Sequence, residues 1–408
     1  MIWIIGVLYK FLGGNMKKLL LAAIISLSTV STASLAEIKV GIILGFTGPI
    51  ESLTPAMRDG ARLAFLEASN SGNLLDGETF TIVEGDSTCT DSAAATAAAE
   101  QLVADGVVAI MGADCSGVTK AINASVAVPN GILMVSPSAT SPALSKVPDA
   151  GTFWRTAPSD AKGGQILAQI ALDRGLTSVA ITYENSDYGK GLSEVFAAAF
   201  AAGGGTVTTN DPHENGKGDY SAEVGVLASA GGDALAVLGY LDQAGGKIVQ
   251  GALDSGAFDL FVLGDGMIGQ ALVDNIGSDL EGSFGSVPGS TSKGANKFND
   301  LAAANGMDGT APYVAQSYDA AALIALAIQS GGSADKTSIL TNILKVGNAP
   351  GVKIMPGQLS YGLQMLAAGN EIDYDGATDV EFNVFGDASG SFLEQEVSGG
   401  AFNIVQQR

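Results

Sequence analysis

Apolar positions along the chain alternate between two spacings. Short runs with little polar interruption, at 38–44, 79–83, 107–111 and 133–135, read as strands covered on both faces. Between them, 55–69, 91–105 and 116–126 carry apolar residues at helical spacing, with Asp91 placed to cap the second helix. Repeated strand–loop–helix predicts a parallel sheet with helices on both faces. The pattern restarts after Pro158: helices at 161–174, 188–202, 220–230 and 245–254 alternate with strands at 178–182, 206–209, 234–238 and 260–263. A second doubly wound lobe follows. Residues 295–346 are helical without strands and need a sheet to cover, which the first lobe supplies. The chain must then cross between the lobes several times, and such crossings form a hinge.

The first 36 residues stand apart from this pattern. Lys17 and Lys18 precede a short apolar run at 19–27, and Ala33-Ser34-Leu35-Ala36 ends in the small residues that a signal peptidase reads. We expect an upstream extension before Met16, then a cleaved signal peptide; the rival is an uncleaved anchor. Removing residues 1–36 takes three of the 20 basic residues and none of the 42 acids, which deepens the net charge from −22 to −25. That charge excludes nucleic acid and anionic lipid as partners. At 47% hydrophobic and 15% charged, the 408-residue chain can bury two cores. Cys89 and Cys115 are the two cysteines, read as one disulfide in an oxidising compartment or as two buried thiols. With one histidine, His213, in what reads as a surface loop, they cannot complete a metal shell, so neither metal nor cofactor is expected.

In open parallel sheets, ligands bind beyond the C-terminal strand ends. Four loops there carry suitable groups. Ser116, read as a helix N-cap, offers a hydroxyl and free amides to a carboxylate, and the 136–140 loop adds Thr140 beside it. In the second lobe Tyr188 can cover a ligand, and Asp265 can pair with an ammonium. Each has a plainer reading: cap, turn residue, packing aromatic, turn former. Their coincidence at four strand ends is what points to a zwitterion held by both lobes.

These residues, with the run Gly131-Ile132-Leu133-Met134-Val135-Ser136-Pro137-Ser138-Ala139-Thr140-Ser141-Pro142, resemble the leucine/isoleucine/valine-binding family of periplasmic proteins, the type I solute-binding proteins of ABC transporters. The resemblance covers nearly the whole chain after residue 36. It implies a Cys89–Cys115 disulfide, a carboxylate site at Ser116, Ala139 and Thr140, and pocket tyrosines at Tyr188 and Tyr240. It implies an ammonium partner at Asp265, one carbon shorter than the family's glutamate. It adds Asp160 near the cleft mouth, which could equally cap the 161–174 helix, and Phe46, which could equally be loop packing. It implies two lobes, 37–155 plus 289–377 and 157–286 plus 380–408, joined by three crossings near 155–157, 286–289 and 375–380.

The resulting expectation is a monomeric periplasmic binding protein that captures a branched-chain or related amino acid and delivers it to ABC transporter permease subunits. Alternatives within the fold are an aromatic carboxylate, amide or urea ligand, or a sensor role. An enzyme is disfavoured: there is no Walker lysine motif, no Gly-x-Ser-x-Gly elbow and no His-Glu-x-x-His.

Overall fold

The computed structural model describes residues 37–408; the expected leader lies outside the described residues. The first half of the chain builds a wholly parallel sheet. Its elements are β1 (Glu37–Leu44), α1 (Thr54–Asn70), β2 (Thr79–Asp86), α2 (Ser92–Ala104), β3 (Ala109–Gly112), α3 (Ser116–Ile122), α4 (Val128–Asn130), β4 (Leu133–Ser136) and β5 (Phe153–Arg155). The strand order is β2-β1-β3-β4-β5. β3 and β4 are buried along their whole length, which explains why their sequences are apolar without alternation. Asp91 caps α2, its side chain accepting from the amides of Ala93 and Ala94. At the end of β3, Gly112 has φ +127°, and a Cβ there would lie 2.1 Å from the Ile43 carbonyl oxygen. Only glycine allows β1 and β3 to pair this closely while the chain turns toward α3.

The second sheet begins after β5. α5 (Asp160–Asp173), β6 (Ser178–Glu184), α6 (Asp187–Ala202), β7 (Thr206–His213), α7 (Ser221–Ala230), β8 (Ala234–Leu238), α8 (Gly246–Ser255), β9 (Phe261–Leu263), α9 (Gln270–Ile276) and β10 (Phe284–Pro288) follow in order. The sheet order is β14-β13-β10-β9-β8-β6-β7. Five strands are parallel, and β13 (Phe392–Ser398) and β14 (Ala401–Gln407) add an antiparallel hairpin at one edge. β7 is the other edge, and it extends beyond the expected 206–209 to His213. Pro212 is tolerated because an edge strand needs no donor on its outer side. His213 is therefore buried at a strand end, Nδ1 2.8 Å from the Thr182 hydroxyl, and not in the surface loop its Pro-Glu-Asn-Gly context suggests.

The helical block, α10 (Lys293–Ala304), α11 (Val314–Gly331) and α12 (Lys336–Gly347), returns to the first sheet. In α11, 15 of 18 residues are buried. A helix apolar all round belongs in a core, and α11 packs between α1, α12 and strands β3 and β4. A small parallel pair, β11 (Val352–Ile354) and β12 (Ile372–Tyr374), flanks α13 (Leu359–Ala367). The chain passes between sheets after Arg155, after Pro288 and before Phe392. The last passage comes later than the resemblance implies. Residues beyond 380 still wrap the first sheet, where Phe382 meets the Trp154 ring edge-on and Asp387 bridges to Arg155 at the sheet edge.

Candidate functional site

On the first-lobe side, the loops after β1, β2 and β3 converge on one carboxylate. Asp114 is buried and accepts from the Gly45 amide at 2.6 Å, the Ser87 hydroxyl at 2.8 Å and the Cys115 amide at 3.0 Å. Burial pushes its carboxyl above the ordinary range, and these donors partly offset that. The Cys89–Cys115 disulfide ties the β2 and β3 loops together beside it. Cys115, with extended backbone, is the N-cap of α3, so Ser116 is the first helical residue and not the cap. Its hydroxyl oxygen instead accepts from the Ser141 amide at 3.1 Å, which leaves the O–H free to donate.

The next loop carries Ala139 and Thr140. The Ala139 amide is committed to the Ser136 hydroxyl at 2.9 Å, and its carbonyl accepts from Arg155 Nη1 at 2.9 Å. Arg155, fully buried, also holds the Ser141 carbonyl, the Ser145 hydroxyl and the Asp387 carboxylate. It fixes the loop that presents Thr140. The Asp160 amide donates to the Thr140 carbonyl at 2.9 Å, which brings these residues side by side. Ser159, not Asp160, caps α5 through the Ala161 amide, so the capping explanation for Asp160 does not hold. Thr140 Oγ1 and Asp160 Oδ2 are both buried, and beyond their loose approach to one another neither has a hydrogen-bond partner. Orphaned polar atoms in a packed interior are costly, and here they mark a place for a ligand's donors and acceptors.

The second-lobe side is a tyrosine–carboxylate cluster. The Tyr188 hydroxyl donates to Asp265 Oδ1 at 2.5 Å and accepts from the Gly266 amide at 3.0 Å. From the first lobe, the hydroxyl of Tyr313, just before α11, crosses to donate to Asp265 Oδ2 at 2.5 Å. Tyr240 stacks on Tyr188 with ring centroids 5.0 Å apart. Burial pushes all three phenols far above the usual tyrosine range, so they stay protonated as donors. Burial raises the Asp265 carboxyl, and raises Asp160 further because the Asp265 charge faces it. Two buried carboxylates in mutual repulsion favour a cation between them. α6 can place Tyr188 here because a Cβ on Gly189 would lie 2.3 Å from the Glu184 carbonyl oxygen.

The two sides touch around this cluster. The Ser141 hydroxyl donates to the Asp187 carbonyl at 2.8 Å, and Lys120 pairs with Asp187 at 3.1 Å. Across the cleft, the Ser52 amide donates to Asp242 at 2.8 Å, and the Asp242 amide to the Pro49 carbonyl at 3.0 Å. The lobes are closed. Ser116, Thr140, Asp160, Tyr188, Tyr240 and Asp265 thus share one contact network. Phe46, half-buried in the loop just after β1, packs on the core.

Sequence reasoning missed Tyr313 and Arg155. Tyr313 adopts φ +63°, unusual for a bulky residue, and no motif marks it beyond its place just before α11. Arg155 was visible as a lone base in an apolar triplet, Phe153-Trp154-Arg155, which reads as a partnered buried charge.

A family model described as periplasmic binding protein matches residues 37–360. The chain belongs to the periplasmic binding protein family. Leu/Ile/Val-binding protein homolog 1 of Brucella melitensis is 30% identical over 334 residues, covering 80% of this chain and 86% of that protein. A leucine-binding protein of Thermotoga maritima superposes with a TM-score of 0.76 at 24% identity, covering 91% of this chain and 98% of that one. A solute-binding protein from R. palustris in complex with benzoate superposes with a TM-score of 0.74 at 16% identity, covering 91% and 96%. These likenesses give the two-lobed type I fold, into which the closed cleft between the two sheets fits.

Proposed function

We propose that this periplasmic binding protein captures an α-amino acid as its zwitterion between the two lobes, for uptake by an ABC transporter. The observation that carries the reading is the pair of buried carboxylates, Asp160 and Asp265, facing one another beside the unpartnered Thr140 hydroxyl. An ammonium placed there balances one of the two charges and relieves the repulsion between the acids, and the free Ser116 O–H donates to the ligand's carboxylate. A benzoate-like ligand, as in the R. palustris relative, leaves both acids unbalanced, and burying an unpaired charge costs several kcal/mol.

The name of the Brucella relative supports an amino acid as ligand. Binding works by closure: the ligand touches both lobes only when they meet, so it draws the equilibrium toward the closed form. The protein then acts as a monomer in the periplasm, freed of its leader, and the closed form docks on the permease subunits. Chemistry on the ligand has no place in this scheme. Its test is a thermal-shift screen of the purified protein against amino acids and aromatic carboxylates, since a ligand at a hundred times its Kd stabilises by about 2.7 kcal/mol. A shift with benzoate and none with any amino acid refutes the proposal.

A further inference from the structure

A cavity of about 260 Å³ lies beside Tyr240, lined from both lobes. Its second-lobe wall is Glu184, Asn185, Ser186, Glu214, Asn215 and Tyr240. Its first-lobe wall is the disulfide end at Cys89 with Gly117 and Val118, the residues directly after Ser116 on the same helix. A molecule whose carboxylate rests on Ser116 and whose ammonium faces Asp265 therefore has this cavity within reach of its remaining end.

The chemistry of the wall is unlike that expected around an aliphatic side chain. Glu184 is almost fully buried, accepting from the Ser186 hydroxyl at 2.9 Å and from the Asn215 amide. Glu214 accepts from the Asn185 amide at 2.6 Å. Two groups lack partners. Tyr240 is only 6% exposed, and its hydroxyl has no hydrogen bond among the described residues. Asn215 Oδ1 is buried and unpartnered. Glu214 is exposed and adds a second acid to the same wall, its Oε1 held by Asn185. The unmet need in the cavity is for N–H donors carrying positive charge.

We infer that the ligand is an amino acid whose side chain ends in nitrogen donors, an ammonium, guanidinium or carboxamide, received by Glu184, Asn215 and the Tyr240 hydroxyl. This rests on the zwitterion reading above and narrows it. Burial holds the Glu184 carboxyl up, at about 7, so a cationic side chain would displace its proton and bind more tightly as pH rises through that value.

Titration calorimetry at pH 8 tests this with L-lysine, L-arginine and L-glutamine against L-norleucine, which has lysine's chain without the ammonium. At least one nitrogen-bearing ligand should bind tenfold or more tightly than norleucine. E184Q should abolish most of that preference, and E214Q, at an exposed position, should reduce it in part while its ligand-free melting temperature stays that of the parent. Norleucine binding as tightly as all three overturns the inference and leaves the zwitterion reading intact. Silence toward all four amino acids, with binding of benzoate, overturns both.

Discussion

Replacing Asp265 by Asn separates ligand recognition from fold stability, because the two respond with opposite sign. The native carboxylate accepts both tyrosine hydroxyls and faces the charge of Asp160. Asparagine keeps the shape and one acceptor oxygen, and one tyrosine can turn its O–H aside and accept from the new amide. Desolvation and repulsion, which raise the folded carboxyl, both vanish. A carboxyl raised on folding stabilises below its unfolded pKa and loses that contribution as pH rises through the folded value. At neutral pH the ligand-free variant should therefore melt no lower than the parent, and this part of the pH dependence should disappear. Binding behaves the other way. An ammonium loses its charged partner in a closed, dry site, at a cost of about 2–4 kcal/mol, or roughly 30- to 700-fold in Kd. Differential scanning calorimetry without ligand, and titration calorimetry with the best ligand from the screen, give the two numbers. An unchanged Kd would refute the assignment of Asp265, and a lower melting temperature with proportionate loss of affinity would make its role structural.

Further outcomes follow from features outside the cleft. Substituting both cysteines by alanine opens a loop with a sequence separation of 26, and loop-closure entropy sets the loss near 3.5 kcal/mol, readable by denaturant unfolding. Affinity should fall as well, because the bridge holds Cys115 at the cap of α3 just before Ser116. Asp319 accepts from Tyr374, Thr378 and the amides of Ala377 and Thr378. D319A orphans these donors and should cost at least about 3 kcal/mol. Burial raises this carboxyl to about 6, so its stabilising protonated form is lost as pH climbs through that value, and thermal melts between pH 5 and 8 should show a flatter profile in D319N.

Most of the parallel framework was legible because both sheets bury strands such as β3 and β8 on both faces, and apolar runs without alternation survive as a signal. Other strands were not: β5 has three residues and owes its pairing to neighbours, and β10 and the β13–β14 hairpin beside it are recognisable only once a sheet exists to receive them. In the site, polar residues at strand ends could be found from position alone. Tyr313 could not, because it comes from a helical block far along the chain and reaches Asp265 through the fold. The reading of Ser116 as a cap failed by one residue, and that residue decides whether its hydroxyl serves its own helix or a guest.

The opening of α11 deserves a last consequence. Within two turns, Tyr313 reaches Asp265, Gln316 joins the Thr156 hydroxyl to the Pro288 carbonyl, and Asp319 grips 377–378. Gln316 touches two of the passages between the sheets, while Tyr313 reaches the second lobe and Asp319 holds the first together. Prising the halves apart leaves α11 locked in the first core and draws Asp265 away from Tyr313. Selectivity and ease of opening are thus geared together, and a mutation that retunes one at this helix end will shift the other.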